Sequence, residues 1–303
     1  MNARPSPQIF TLTGNLLAER TLTFAAWSPG RTQRATAESF QVGGKGINVS
    51  KMLTRLGAPN TALCFAGGAP GSECAAWLEA RPGKFSSVRV FPATTPTRTG
   101  TVVRDGTHAE TTFLAPDAPP DAAAIRACAD FLDAQPAGQV LALCGSLPGW
   151  AHSDYDPLRA TFTRWLTRGV LAADTYGAPL EWLLTRGTAL IKINADEFRS
   201  TLGDAPDFAA TLKSPVARWV VTDGPRSVWL RDADGTTARL TPPPVQEVSA
   251  TGSGDVLFAA LLHAWINRQF PLAEAVKFAL PYAAANAAHP GIAEFPEPAA
   301  ISE

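Results

Sequence analysis

Two glycine-rich stretches, each directly ahead of a helical pattern, hold the residues of this chain best suited to chemistry. The later one is Thr251-Gly252-Ser253-Gly254-Asp255. Behind it Leu257, Ala260, Leu261 and Ala264 fall at i, i+3, i+4 and i+7, one face of a helix. Glycines at such a junction expose backbone N–H groups where the helix dipole is positive, which makes a hole for an anion. Asp255 falls in the first helical turn, beside that hole. A carboxylate so placed can take a proton from a hydroxyl while the hole stabilises a transferring phosphoryl group. It can equally be an acid that only complements the dipole, and the motif alone does not decide.

The earlier stretch is Gly43-Gly44-Lys45-Gly46-Ile47-Asn48, ahead of a helix with Val49, Met52, Leu53 and Leu56 on one face and Gly57 at its end. A ligand can approach such backbone closely. Lys45 adds a positive charge there, and Asn48 both donates and accepts. Neither stretch is one of two common phosphate motifs. A P-loop needs Ser or Thr after the lysine, where Gly46 stands. A dinucleotide fingerprint needs a third Gly or Ala where Val49 and Leu257 stand.

A third set of polar residues closes short apolar runs. Gly145-Ser146 follows Gln139–Cys144, Asp174 ends Val170–Asp174, Lys192–Glu197 ends Ala189–Asn194, and Thr222-Asp223-Gly224 ends Trp219–Thr222. Asn194 and Glu197 are three apart, so a helical turn puts them on one face, where they could order Mg²⁺ through water. Each of these residues alone also suits an ordinary helix cap.

The apolar runs read as buried strands, separated by helical stretches such as Tyr155–Arg168 and Gly177–Arg186. That alternation implies a mainly parallel sheet covered on both faces, with ligands outside the carboxyl ends of its strands. Arg226–Arg231 and Thr236–Leu240, joined by Asp234-Gly235, form a hairpin pattern. Thr241–Val245 is an extended, proline-rich linker. Long helices are expected from Gly252 and from about Leu272, and a surface tail from Pro290. Thr21–Phe40 and Val88–Phe113, rich in Thr, Arg and β-branched residues, break the alternation and read as strands of a small separate sheet.

At 303 residues, 46% hydrophobic and 17% charged, the chain is long enough for one large core and is neither disordered nor a disulfide-stapled miniprotein. Its net charge of −1 gives no general attraction to nucleic acid or anionic membrane. Cys64, Cys74, Cys128 and Cys144 have irregular spacing without Cys-x-x-Cys, which argues against a zinc site or disulfide framework and for a reducing compartment. The polar start Met1–Pro7 has no apolar core behind it, and no apolar run is long enough to span a bilayer. A cytoplasmic protein is expected.

Taken together, these motifs resemble the PfkB family of carbohydrate kinases, which has the ribokinase fold. The resemblance runs through Thr11–Glu19, Thr97–Thr101, Gly145–Pro148, Asp174, Asn194–Glu197, Thr222–Gly224 and the helix holding Asn286, nearly the whole chain. Gly145-Ser-Leu-Pro148 and the triple proline Pro242–Pro244 are most similar to the phosphosugar branch, that of 1-phosphofructokinase, tagatose-6-phosphate kinase and the minor 6-phosphofructokinase. The resemblance implies one ribokinase-like α/β domain over 1–303, in three layers with a mainly parallel central sheet. It also implies a β-sheet lid formed by about 14–40 and 88–113, through which a homodimer could form.

The implied reaction moves the γ-phosphoryl of MgATP to a hydroxyl of a sugar phosphate. By resemblance Asp255 is the base and Gly252, Ser253 and Gly254 form the anion hole. Asn194 and Glu197 order Mg²⁺ through water, and Lys192, Thr222, Gly224 and Asn286 serve the nucleotide, Asn286 near the adenine. On the acceptor side Glu19, Gly43, Gly44 and Asn48 meet hydroxyls. Arg31, Lys45, Arg98 and Ser146 gather around the phosphate already present, a task suited to bidentate arginine. The chain departs from the family at Glu19, where Asp is usual, at Ser249-Ala250, at Ile193 and at Ser227. Two other readings are a kinase of an unphosphorylated sugar or nucleoside, which three cations disfavour, and a catalytically weak sugar-binding relative, which Asp255 disfavours.

Overall fold

A computed structural model describes residues 6–106, 110–203 and 214–298, so most of the polar start lies outside the described residues. The chain begins with β1 (Ile9–Thr13), β2 (Leu17–Thr23), β3 (Ala37–Gly43), α1 (Lys45–Arg55), β4 (Asn60–Gly67), α2 (Gly68–Glu79), β5 (Val88–Ala93), β6 (Arg98–Arg104) and β7 (Thr111–Leu114). The alternating region follows: α3 (Ala122–Asp133), β8 (Val140–Cys144), α4 (Asp156–Arg168), β9 (Val170–Asp174), α5 (Ala178–Leu184), β10 (Leu190–Asn194), α6 (Ala195–Leu202) and β11 (Trp219–Asp223). The hairpin β12 (Ser227–Arg231) and β13 (Thr237–Leu240) and the helices α7 (Ser253–Leu262) and α8 (Leu272–Ala287) complete it.

No residue of β1, β4 or β8 is exposed. Strands buried on both faces require a layer on each side. Phe10, Leu12, Leu141, Leu143, Ile191 and Ile193 pack beneath α3 to α6, while their alternate neighbours Ile9, Val140, Ala142 and Leu190 pack beneath α1, α7 and α8. This is the expected three-layer α/β fold. Its nine-stranded sheet has the order β13-β12-β11-β10-β9-β8-β1-β4-β5, parallel from β5 to β11, with the hairpin antiparallel at one edge. The order reverses direction at β1, which lies between β4 and β8.

A second sheet has the order β3-β2-β6-β7. It rests against α2, where Trp77 Nε1 donates to the Phe40 carbonyl (3.0 Å) and Arg20 grips Glu73 with one nitrogen at 2.7 and 2.9 Å. Three sequence-based assignments need correction. Val88–Ala93 belongs to the main sheet as its edge strand, paired with β4, not to the small one. Phe91 is held there by Phe65 and Phe131, each with ring centroids 5.9 Å away. Within Thr21–Phe40, the middle of the segment is irregular and only its two ends are strands. The tail after Pro290 is likewise not all at the surface. Ala293 and Phe295 are buried, and the Arg55 guanidinium lies 4.3 Å over the Phe295 ring.

Helix α1 reaches the sheet so closely because Gly46 has no side chain. A Cβ there would lie 2.4 Å from Thr13 Oγ1 and 3.1 Å from backbone atoms of β1. Gly46→Ala must therefore push α1 off β1, an overpacking defect of about 1–3 kcal/mol. Urea unfolding should show a lower midpoint with an unchanged slope.

Candidate active site

The carboxyl ends of β8, β9, β10 and β11 deliver Gly145, Asp174, Asn194 and Thr222 to one edge of the main sheet. Two cavities open along that edge. The smaller, about 210 Å³, is covered by Leu17, Glu19, Gln41 and Arg98 of the small sheet and contains Lys45, Asn48, Ser146 and Asp255. The larger, about 560 Å³, is lined by Thr222, Gly224, the proline linker, Ser253, Gly254 and apolar residues of α7 and α8. The N-terminus of α7 separates them.

That N-terminus is built from small residues under close constraint. Gly252 adopts φ 75°, the left-handed region that favours glycine, and a Cβ there would meet Ile292 at 2.6 Å. Asn286 holds the turn from behind. Its Nδ2 donates to the Thr251 carbonyl (3.0 Å) and to Ser253 Oγ (3.1 Å), and its Oδ1 accepts from the Ala293 N–H (2.9 Å). Asn286 is thus fully engaged inside the protein and does not line the larger cavity, so the placement beside an adenine expected from the sequence is corrected to one behind the glycine turn.

Asp255 is buried in the first turn of α7, and its Oδ2 accepts from Asn48 Nδ2 at 2.7 Å. This bond joins the two glycine stretches, 207 residues apart in sequence. Burial pushes the Asp255 carboxyl up to about 6, with Lys45 working against the shift and Asp174 adding to it.

Asp174 is buried at the end of β9 and receives two ammonium groups. Lys45 Nζ lies 2.9 Å from its Oδ1, and Lys192 Nζ lies 2.8 Å from its Oδ2. Burial disfavours its charge, but Lys192 and then Lys45 hold its carboxyl below the usual range. Lys45 also lies 3.4 Å from Glu197 Oε1. Burial works against the Lys45 charge too, and Asp174, Asp255 and Glu197 more than offset it, leaving the ammonium above its ordinary range. Lys192 lines neither cavity but sits directly under the glycine turn, its Nζ 2.8 Å from where a Cβ on Gly254 would be.

Asn194 and Glu197 form a capping box on α6. Glu197 N–H donates to Asn194 Oδ1 (2.8 Å), and Asn194 N–H donates to Glu197 Oε2 (3.0 Å). One Glu197 oxygen is thereby used by the cap, and the other faces Lys45. Among the described residues there is no group of three His, Cys, Asp or Glu side chains that could hold a metal. This donor set would suit a Mg²⁺ that arrives with phosphate oxygens and keeps its waters, Asn194 and Glu197 being the residues that would order those waters.

In the smaller cavity Glu19 and Gln41 are directly opposite on β2 and β3, and Gln41 Nε2 donates to Glu19 Oε1. Asn15 Nδ2 donates to Asp117 Oδ1 (2.8 Å) and to Ser146 Oγ (3.1 Å), and Arg98 pairs with the same Asp117 oxygen at 3.0 Å. Thr13 Oγ1 and Asn15 Oδ1 line this cavity buried and without a partner among the described residues. Gly43 and Gly44 complete the wall. Arg31 is not brought to it. It is exposed on the irregular loop between β2 and β3. Thr13, Gln41, Asp117 and Tyr176 were not singled out from sequence. Gln41 shares strand parity with Gly43, but its pairing with Glu19 depends on a register that spacing alone does not reveal.

The chain matches the family described as pfkB family carbohydrate kinase over residues 17–300. It is 29% identical over 298 residues to the ATP-dependent 6-phosphofructokinase isozyme 2 of Mycobacterium tuberculosis, covering 95% of this chain and 86% of that protein. It is 25% identical over 296 residues to the 1-phosphofructokinase of Borreliella burgdorferi, covering 95% and 94%. The crystal structure of phosphofructokinase-2 from Escherichia coli in complex with substrates and products superposes with a TM-score of 0.82 at 25% identity, covering 92% of this chain and 93% of that one. With a family match over nearly its whole length and two helix-borne glycine turns meeting at one buried carboxylate, the chain belongs to the pfkB family of carbohydrate kinases.

Proposed function

We propose that the protein transfers the γ-phosphoryl group of MgATP to a hydroxyl of a sugar phosphate, with Asp255 as the base. The observation that carries this reading is the position of Asp255, buried at the helix N-terminus that divides the two cavities. ATP occupies the larger cavity. Its base lies against Val228, Leu257, Leu280 and Ala283, and its phosphates meet the Gly254 N–H above Lys192, the Ser253 N–H being already given to the Ala250 carbonyl at 3.2 Å. When bound, Mg²⁺ offsets the phosphate charge, with Glu197 and Asn194 arranging its waters.

The acceptor occupies the smaller cavity. Its hydroxyls meet Glu19, Gln41 and Asn48, and Asp255 takes the proton of the attacking one. Its phosphate is received by Arg98 and Ser146 at the rim. The relatives named as phosphofructokinases support a ketose phosphate. An unphosphorylated sugar is the second reading, favoured by Arg31 standing away from the cavity and by Arg98 already holding Asp117. The small sheet serves as a lid, since it supplies Glu19, Gln41 and Arg98 to a site otherwise built on the main sheet. Phe113 and Leu114, 56% and 52% exposed on β7, make it the candidate face for a homodimer.

Release of ADP with MgATP and a panel of fructose 1-phosphate, fructose 6-phosphate, tagatose 6-phosphate, fructose and ribose tests the reading. Turnover with one phosphosugar is expected, and turnover only with a free sugar would favour the second reading. Asp255→Asn should lower kcat by about 10²–10⁴, the usual contribution of a general base. In the wild type kcat/KM should fall as pH drops through about 6, as Asp255 takes up its proton. Arg98→Met should raise KM for a phosphorylated acceptor about 10–100-fold, the value of about 1.5–3 kcal/mol for a hydrogen bond to a charged group.

The same burial has a thermodynamic consequence of definite sign. The folded chain keeps the Asp255 proton up to about pH 6, whereas the unfolded chain releases it near 3.8. Between those values the folded state binds more protons, so Asp255 makes stability fall as pH rises. The full loss above pH 6 is about 3 kcal/mol, at roughly 1.4 kcal/mol per pH unit. Asp255→Asn carries no such charge. Urea unfolding should find it more stable than wild type by up to that amount at pH 7.5, with the advantage gone near pH 4. Equal stability of the two at pH 7.5 would show that burying the charge costs little.

A further inference from the structure

The rim of the smaller cavity already holds an anion. Asp117 Oδ1 accepts from Arg98 Nη1 at 3.0 Å and from Asn15 Nδ2 at 2.8 Å. The same Asn15 nitrogen donates to Ser146 Oγ at 3.1 Å. One charged oxygen therefore lies against Arg98 and a single shared donor away from Ser146, the two residues that would receive the acceptor's phosphate. Asp117 reaches them from outside. It lines neither cavity, stands on the segment that leaves β7 and has a side chain 56% exposed.

The groups around this oxygen keep capacity for a second ligand. Arg98 Nε is buried without a partner among the described residues. So is Asn15 Oδ1, on a side chain 7% exposed that lines the cavity. The first is a donor suited to an anion and the second an acceptor suited to a hydroxyl. Asp117 contacts Arg98 through one nitrogen and one oxygen, not through the two parallel bonds that a guanidinium can offer a phosphate. So exposed a pair is weak. Being part of the chain, however, it is present at every concentration of acceptor.

We propose that Asp117 is a specificity-determining residue that acts as a built-in competitor for the acceptor's phosphate. Its carboxylate occupies Arg98 until a phosphate displaces it, and so sets how far the site prefers a phosphorylated acceptor to a free sugar. This deepens the kinase reading and rests on its phosphosugar form. A free sugar leaves the Arg98–Asp117 pair intact and is not affected by it. A phosphosugar binds the fraction of molecules in which Arg98 is released, and its affinity is reduced by that fraction. For a pair this exposed the reduction is about 2- to 5-fold. Removal of the Asp117 charge should therefore strengthen phosphate binding. Loss of a residue that merely supported Arg98 would weaken it, so the two roles differ in sign.

Full-length Asp117→Asn and Asp117→Ala are compared with wild type, with urea midpoints as the check on folding. Asp117→Asn removes the charge and keeps an oxygen for Arg98 and Asn15, and it decides if Asp117→Ala does not fold. With whichever panel phosphosugar the wild type phosphorylates, both variants should lower KM about 2- to 5-fold. Any turnover of fructose should keep its KM. In an Arg98→Met background Asp117→Asn should change the phosphosugar KM less than about 1.5-fold, because the cation competed for is gone. A second readout needs no turnover. Inorganic phosphate, titrated by calorimetry, should bind Asp117→Asn at least about 2-fold more tightly than wild type. If the wild type phosphorylates no panel acceptor, this titration alone decides.

A phosphosugar KM that rises or stays the same in Asp117→Asn, with inorganic phosphate bound no more tightly, shows that Asp117 supports Arg98. That result overturns the proposal and leaves the kinase reading intact. A fall in KM as large in the Arg98→Met background as in the wild type also overturns it, since Asp117 would then act by general repulsion. Turnover of free sugars alone, with no binding of inorganic phosphate to either variant, overturns both the proposal and the phosphosugar reading.

Discussion

A carboxylate as deeply buried as Asp174 has to be paired, because an isolated charge in that position would be far less stable than the same charge in water. Two lysines from different parts of the chain meet this need, Lys45 from the first turn of α1 and Lys192 from β10. Fixing Lys45 fixes the start of α1, and with it Asn48 one turn later. Asn48 then donates to Asp255 at the start of α7. The main-chain N–H of Gly145 donates to the Asp174 carbonyl at 2.7 Å, which ties the end of β8 to the end of β9. The relative placement of two helices and of the ends of β9 and β10 thus depends on one ionised group, and the end of β8 is tied in through the backbone of the same residue.

Small residues make this convergence sterically feasible. Gly46 lets α1 lie against β1, and Gly252 lets the loop pass Ile292. Gly254 leaves room for Lys192 directly beneath the turn. These glycines have different tasks, close packing at one position and left-handed backbone at another, although the sequence presents both stretches as one kind of motif. Asn286 supports the second stretch from within the protein, where its three hydrogen bonds give the turn one conformation before any ligand arrives.

What could be read from sequence was local. Glycine turns before helical periodicity, and polar residues after apolar runs, each depend on a few adjacent positions, and the chain folds at those positions as they suggest. What was not legible depends on pairing between distant segments. Val88–Ala93 has the β-branched composition of the small sheet, yet Phe65 and Phe131 draw it into the main one. Lys45 and Arg31 look alike as cations near one end of the chain, but one meets buried carboxylates and the other remains on an exposed loop. Asn194 and Glu197 form the cap that their spacing suggests, and because a carboxylate has two oxygens the cap leaves one of Glu197's facing Lys45.

The depth of each ion pair decides which one a substrate can exchange. The Arg98–Asp117 pair lies at the rim, with the Asp117 side chain 56% exposed. Pairs of that kind contribute roughly 0–1 kcal/mol. A phosphate can therefore replace Asp117 on Arg98 at small cost, and the released carboxylate returns to water. The Lys45–Asp174 pair has no such exchange open to it, since separating it would leave a buried carboxylate with Lys192 alone, a loss of several kcal/mol by comparison with other buried pairs. A ligand of Lys45 must therefore add to the existing pair without displacing it.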